Sequence, residues 1–179
     1  MNNTPKVSRE NTKFDFTGES KCIEDRIVWR IKRNSDEHAG GWIESEANLC
    51  KDSDCWVGDD AVVFDSARVS GKAQVCGDAR VCGAAVIYGN AKISDSARVF
   101  GKAWIADNAN ISGGAKVYGE AHIFGHAEIF DESKVFESGK VFGTSKVYGY
   151  AQIFMEGAVF DFAEVYGKSA VYGLAQVHG

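Results

Sequence analysis

Four positively charged residues recur at intervals of 18 along the chain, and an aromatic residue lies two positions after each of the last three. The cations are Arg80, Arg98, Lys116 and Lys134, and the aromatic residues are Phe100, Tyr118 and Phe136. Guanidinium and ammonium groups bind phosphate and carboxylate oxygens, and aromatic rings stack on bases. The spacing therefore indicates a surface for a small anionic or nucleotide ligand. Alternatively, turn carboxylates such as Glu120 pair with the cations, since like charges in a column repel one another.

Histidines are the residues that could act as a general base, which must lie within hydrogen-bonding reach of the acceptor. His122 is predicted to point outward from a strand, and His126 lies on the following turn; His38 is in a loop and His178 is close to the end of the sequence. A zinc site needs a third histidine near His122 and His126, and none lies at a suitable spacing. The five cysteines show no paired metal spacing either. We therefore expect no metal site.

All these residues belong to one repeat. Every sixth residue from Val57 to Val177 is valine or isoleucine, and a small residue, most often alanine, lies two positions before each of them. A fixed period of six with a small residue, an aliphatic residue and a turn is typical of a β-helix with one face per hexad. The pattern predicts an all-β fold: a left-handed, single-stranded parallel β-helix, triangular in section, with about seven regular coils.

Turn residues mark the corners of this triangle. Two positions after each aliphatic residue, the chain has glycine thirteen times and aspartate six times, and only Glu137 and Met155 depart from this rule. Glycine tolerates positive φ, and aspartate caps nearby N–H groups. Because side chains alternate along an extended segment, the small and aliphatic residues point inward and their neighbours point outward.

The first part of the chain lacks the repeat and divides into two segments. Residues 1–13 are polar and are predicted to form a flexible tail. Residues 14–41 are predicted to form an N-terminal cap with a strand at 27–32 and a loop at 34–41. The β-helix occupies 42–179. Its first coil is irregular: it begins at Trp42, continues at Leu49 and slips by two residues across 51–54.

Two short tryptophan-containing elements precede the regular repeat. They are Gly-Gly-Trp-Ile-Glu at 40–44 and Asp-Cys-Trp-Val at 54–57. With the Ala-x-Val-x-Gly units that follow, they resemble a group of bacterial and phage-encoded hexapeptide-repeat proteins, and the likeness covers the chain from about Ile27 onward. The resemblance implies the β-helix fold and a superfamily in which many members are named acyltransferases. It carries no established catalytic residues over to this chain.

An acyltransferase on this scaffold would be a trimer with a histidine base between subunits and an inserted loop that binds acyl-CoA. This chain has no insertion after Val57. We therefore predict a non-catalytic structural or interaction module without a cofactor, of phage or prophage origin. An acyl-CoA-dependent acyltransferase with His122 or His126 as its base is the alternative.

Composition narrows the range of partners. The net charge is −5, which gives no general attraction to duplex nucleic acid or to an anionic membrane. No apolar run is long enough to span a membrane, and the N-terminus does not resemble a signal peptide. Because the cysteines are odd in number and Cys76 and Cys82 fall on different faces, we expect reduced thiols and a cytoplasmic protein.

Outward aromatic residues accumulate toward the C-terminus and indicate a surface for self-association. They are expected to stack in ladders from coil to coil and to leave an apolar end that includes Val171 and Ala175. A second copy is expected to cover this end in a tail-to-tail homodimer. The predicted binding and assembly residues are Phe100, Tyr118, Phe136, Phe154, Phe160, Tyr166, Tyr172, Val177 and His178.

Overall fold

The computed structural model describes residues 5–8 and 11–179. The regular elements in this part of the chain are one short 3-10 helix, Glu46–Asn48, and twenty-four strands. In chain order the strands are β1 Phe14–Ile23, β2 Arg26–Arg33, β3 Ala39–Ile43, β4 Trp56–Val57, β5 Val62–Val63, β6 Arg68–Val69, β7 Gln74–Val75, β8 Arg80–Val81, β9 Val86–Ile87, β10 Lys92–Ile93, β11 Arg98–Val99, β12 Trp104–Ile105, β13 Asn110–Ile111, β14 Lys116–Val117, β15 His122–Ile123, β16 Glu128–Ile129, β17 Lys134–Val135, β18 Lys140–Val141, β19 Lys146–Val147, β20 Gln152–Ile153, β21 Ala158–Phe160, β22 Glu164–Val165, β23 Ala170–Val171 and β24 Gln176–His178.

Three sheets wrap around one interior. Sheet A has the order β1-β2-β3-β5-β8-β11-β14-β17-β20-β23, sheet B the order β6-β9-β12-β15-β18-β21-β24, and sheet C the order β4-β7-β10-β13-β16-β19-β22. From β3 onward every pairing is parallel and joins each strand to the one eighteen residues later, apart from the twenty-residue step in the first coil. The chain is therefore a β-solenoid of about eight turns with an antiparallel N-terminal cap.

The interior contains the two inward positions that the repeat predicts. The aliphatic residues are buried in every coil from Val57 to Val171, and only Val177 is partly exposed. The small residues form columns, and three buried members of one column are Ala85, Ala103 and Ala121. Only small residues fit at these positions, because the aliphatic residues of all three sheets fill the interior between the columns.

Serine replaces alanine at three inward positions near the C-terminus, Ser133, Ser145 and Ser169, and the last of these is exposed at the end of the solenoid. Ser133 and Ser145 are fully buried. Their hydroxyl groups donate hydrogen bonds to the carbonyl oxygens of Phe130, at 2.7 Å, and Phe142, at 2.8 Å. A buried hydroxyl group needs such a partner, so these polar substitutions are tolerated.

Every corner residue from Asp59 to Gly173 has a positive φ, including Glu137 at 55° and Met155 at 56°. The stacking of coils therefore imposes this conformation on any residue at the corner. The sequence predicted that the aspartate carboxylates cap a local N–H group. Instead, they accept a hydrogen bond from the backbone N–H of the corner residue in the next coil, as Asp95 does from Gly113 at 2.9 Å. At a left-handed corner the side chain points along the solenoid, and the next coil is its nearest neighbour.

The cap is a hairpin that leads directly into sheet A. The strand predicted at 27–32 is confirmed as part of β2, which pairs antiparallel with β1 and β3. Strand β1 was not predicted, and β3 begins inside the segment predicted as a loop, since the turn between β2 and β3 ends before Ala39. The last two residues of β3 pair in parallel with β5. The cap and the first coil thus share a strand, and the predicted boundary at 41 falls inside it.

The described part of the N-terminal tail contacts the first coil. The backbone N–H and the hydroxyl of Ser8 both donate to the carboxylate of Glu46, each at 2.8 Å. Asn11 is buried, and the ammonium of Lys13 donates to the carbonyl oxygen of Cys50 at 2.9 Å. The predicted flexible tail is therefore anchored at these points; residues 1–4 and 9–10 lie outside the described residues.

The tryptophan-containing elements attach the cap to the solenoid. A Cβ atom on Gly40 would lie 2.7 Å from the side chain of Trp56, and one on Gly41 would lie 2.6 Å from a backbone oxygen, so only glycine fits. The ammonium of Lys21 lies 4.3 Å from the centre of the Trp42 ring, and the guanidinium of Arg33 lies 4.6 Å from that of Trp56. These residues have a structural role in joining two sheets closely.

Candidate functional site

The four cations form a column on the outer face of sheet A. Arg80 is paired with Arg98 across neighbouring strands, Arg98 with Lys116, and Lys116 with Lys134. Arg80 lies 3.6 Å from the carboxylate of Glu24 at the tip of the cap hairpin. Within the part of the chain that the structure describes, the other three have no carboxylate within ion-pair distance.

Glu120 does not pair with this column, contrary to the alternative prediction. It accepts a hydrogen bond of 2.9 Å from the ammonium of Lys102. Both residues lie at the corner between sheets A and B, one coil apart. The partner of a residue at this corner is therefore the equivalent residue of the next coil. Their attraction raises the pKa of Lys102 and lowers the pKa of Glu120. Arg98, Lys116 and Lys134 therefore keep their positive charge, whereas that of Arg80 is offset by Glu24.

The aromatic residues beside the cations form the predicted ladder. Ring centres are 4.8 Å apart from Phe100 to Tyr118 and 5.0 Å apart from Tyr118 to Phe136 and from Phe136 to Phe154, and the planes are nearly parallel. The faces of inner rings are covered by their neighbours. A base has no free face on which to stack in the middle of the ladder. The predicted combination of charge and stacking is available only at the end near the cap, because Gln152 and Ala170 follow Lys134 in the column.

Similar ladders stand on the other two sheets. On sheet B the rings of Phe124, Phe142 and Phe160 stack at 4.9 Å and 5.0 Å, and His178 follows at 5.5 Å. On sheet C, Phe130, Tyr148 and Tyr166 stack at 4.8 Å and 5.3 Å. The prediction of cross-coil ladders is confirmed, and most of their rings are only partly exposed.

The sheet A ladder begins beside a cleft of about 210 Å³. Cys82 lines this cleft and occupies the ladder position next to Phe100. Burial, with the negative charges of Glu24 and Asp65 adding to it, raises the pKa of the Cys82 thiol to about 11. The cleft is lined by Glu24, Phe64, Arg80, Cys82, Arg98 and Phe100.

A larger cleft of about 660 Å³ lies elsewhere, beside the first coil. Among its lining residues are Ser8, Glu46, Leu49 and Arg68. It is an open groove between the 3-10 helix and the start of sheet B, and Glu46 within it is already bonded to Ser8. None of the predicted site residues lines it.

The two histidines proposed for acid–base chemistry are both exposed. His122 is on β15, and its ring meets the edge of the Trp104 ring at 5.6 Å. His126 is at the corner that follows β15. Neither lines the cleft at Cys82 or the groove beside the first coil. Among the described residues, no group of three or more His, Cys, Asp or Glu side chains is placed to hold a metal ion.

Exposed apolar side chains concentrate in the last two coils. Seven large apolar side chains of the described chain are exposed, and six of them lie between 150 and 174: Tyr150, Met155, Phe162, Tyr166, Tyr172 and Leu174. Of the predicted end residues, Val171 is buried, Val177 is partly exposed, and Ala175, Tyr166, Tyr172 and His178 are exposed. The apolar surface is thus made mainly by corner and ladder residues, together with the end of the interior at Ala175 and Val177.

Phe162 and Leu174 are the most exposed of these and were missed from the sequence. Both follow a corner residue, at a position that holds no large apolar residue from Asp60 to Thr144. The appearance of a large apolar residue at this position, first at Tyr150 and then at Phe162 and Leu174, is the sequence signal that could have identified these exposed residues.

No family model matches the chain, and no curated protein is significantly similar to it. None of the helical structure in the described residues is long and apolar enough to cross a membrane.

Proposed function

We propose that this protein is a non-catalytic structural module that associates with a second copy of itself through its C-terminal coils. The observation that supports this most directly is the position of the exposed apolar side chains, six of seven of which lie between 150 and 174. A soluble protein rarely leaves large apolar side chains grouped on its surface unless they meet a partner.

The residues that follow the corners give the strongest support. Tyr150, Phe162 and Leu174 are 63%, 75% and 82% exposed. A side chain at this position points away from the interior, so folding gains little from an apolar residue there. Burial in an interface would stabilise the complex by roughly 1.5–3 kcal/mol for each such side chain.

The strand edges favour a two-fold arrangement. Within the described residues, β22, β23 and β24 each have a neighbour on one side only. A two-fold axis across the end of the solenoid sets these edges antiparallel to those of a second copy, and antiparallel edges can pair directly. Head-to-tail stacking is disfavoured, because sheet A continues antiparallel into β2 and β1 at its other end.

The N-terminal motifs support a proposal about the family to which the chain belongs. The Gly-Gly-Trp-Ile-Glu and Asp-Cys-Trp-Val elements support placing the chain among the bacterial and phage hexapeptide-repeat proteins. In this structure those motifs join the cap to the solenoid, as the contacts of Gly40 and Trp56 illustrate. Their role here is consistent with a scaffold whose function lies on its outer surface.

Sedimentation velocity at micromolar concentration tests the proposal. We expect the wild-type protein to be a dimer and the Phe162→Asp/Leu174→Asp double variant to be a monomer, with the dissociation constant raised at least about a hundredfold. Ile27→Asp is the matched control, since Ile27 is 57% exposed at the opposite end. A monomeric wild-type protein, or a double variant that dimerises like the control, contradicts the proposal.

A further inference from the structure

Two ladder positions hold a small residue between aromatic residues of the coils on both sides, and their surroundings differ. On sheet B, Ala106 stands between Tyr88 and Phe124, where a ring would continue the ladder. The ring of Trp104 fills this place, 5.3 Å from that of Tyr88 and 6.4 Å from that of Phe124, and Ala106 is fully buried. The protein thus closes this gap with its own side chain.

On sheet A the corresponding gap is at Cys82, between Phe64 and Phe100. The segments Arg80-Val81-Cys82 and Trp104-Ile105-Ala106 occupy equivalent positions in the hexad, so Arg80 stands where Trp104 stands on sheet B. An arginine cannot replace the ring, and the place remains a cleft of about 210 Å³. This gap is therefore open, and its charged border consists of Arg80, Arg98 and Glu24.

The dimensions of the gap suit one flat ring. Two steps between coils separate the positions of Phe64 and Phe100 by about 10 Å, twice the usual strand spacing. One face of the Phe100 ring stacks on Tyr118 at 4.8 Å, so its other face borders the cleft. Phe64, only 3% exposed and packed with Val28 and Val62, forms the far wall.

The charges around the cleft suit one anionic group. Arg80 and Arg98 both line it, and each nearby carboxylate has a cation of its own: Glu24 lies 3.6 Å from Arg80. Asp65, which also acts on the Cys82 thiol, lies 3.0 Å from Arg26. Arg98 has no carboxylate within ion-pair distance in the part of the chain that the structure describes. Its guanidinium is the free partner for an anion.

We propose that the cleft at Cys82 binds a flat aromatic ring that carries one anionic group, with the ring stacked on Phe100 and the anion paired with Arg98. The ligand supplies the ring that the ladder lacks at this coil. This site lies near the cap and is independent of the C-terminal association surface.

Ligand-observed NMR titration with three probes tests the site. Benzoate and phenyl sulfate carry a flat ring and one negative charge, and comparing them separates a planar carboxylate from a tetrahedral anion. Cyclohexanecarboxylate carries the same charge on a ring that is not flat. We expect one or both aromatic probes to bind at least about tenfold more tightly than cyclohexanecarboxylate, because only a flat ring can stack on Phe100.

Three variants locate the binding. Cys82→Phe fills the gap and should abolish binding, and Cys82→Leu serves the same purpose if the larger substitution fails to fold. Arg98→Gln should weaken binding roughly tenfold through loss of the charged hydrogen bond. Lys134→Gln, two coils away in the same column, should leave it within about twofold. Equal binding of cyclohexanecarboxylate, no binding of either aromatic probe, or unchanged binding in the folded Cys82 variant would overturn the proposal.

Discussion

Replacing Ala103 with leucine should destabilise the protein far more than replacing its neighbour Lys102 with alanine. Ala103 is fully buried, and the residues one coil above and below it, Ala85 and Ala121, are fully buried as well. The three added carbon atoms therefore have no cavity to enter, and overpacking of this kind costs about 1–3 kcal/mol. For a chain of this length, each kcal/mol lowers the melting temperature by roughly 2–4 °C. We expect the Ala103→Leu variant to melt several degrees below the wild type.

Lys102 gives the matched comparison because it is the sequence neighbour of Ala103 on the outer face. Its side chain is 73% exposed, and its ion pair with Glu120 is also exposed. Exposed pairs contribute little, so Lys102→Ala should change stability by under about 0.5 kcal/mol. Differential scanning calorimetry of both variants provides the measurement. Equal shifts in melting temperature, or a rise for Ala103→Leu, would refute the assignment of inward and outward faces.

The corners, the thiols and the histidines can each be tested as well. Asp95→Ala should lower the free energy of unfolding, measured by urea titration, by about 1 kcal/mol or more, because it removes the hydrogen bond from Gly113 and places alanine at a φ of 57°. Asp95→Gly should lower it less, because glycine tolerates this φ. An equal loss of stability in the two variants would contradict the role of φ. At pH 8 the raised pKa of Cys82 leaves little of its thiol as thiolate, so iodoacetamide should alkylate Cys82 roughly a hundredfold more slowly than free cysteine. Peptide mass spectrometry follows the reaction. A rate equal to that of free cysteine would show that burial does not suppress ionisation of this thiol. Incubation with acetyl-CoA and amine or hydroxyl acceptors should give no transfer above background, and a transfer that is lost in His122→Ala or His126→Ala would favour the acyltransferase instead.

The solenoid could be predicted because its determinants are local and repeated. Each hexad contains its own small residue, aliphatic residue and turn, so the wall, the interior and the corner are visible within six residues. Strand β1 could not be predicted in this way. Its sequence mixes polar residues with Gly18, and its pairing with β2 shifts register between Phe16 and Ser20. The partner strand, rather than the local pattern, determines its structure.

Contacts on the outer surface could be predicted where they join residues eighteen positions apart in one column. Contacts between side chains of different columns could not be predicted. The ladder from Phe100 to Phe154 follows from positions eighteen residues apart. The pairing of Lys102 with Glu120 depends on both lying at one corner, outside the column of cations on sheet A. Trp104 covers Ala106 from an adjacent column, and this contact requires the actual direction of the indole.

Distances between spin labels test the proposed tail-to-tail assembly most directly. The background replaces the exposed and partly exposed cysteines Cys22, Cys50, Cys76 and Cys82 with serine. A label at Glu164→Cys, which is exposed on the outer face of β22, reports on the C-terminal coils, and a label at Asp36→Cys reports on the cap. A stack of about eight coils at about 4.8 Å is roughly 40 Å long. We predict an intermolecular distance below about 30 Å for the label at 164 and above about 60 Å for the label at 36. A short distance at 36, or similar distances at both positions as in a side-by-side oligomer, would contradict this assembly.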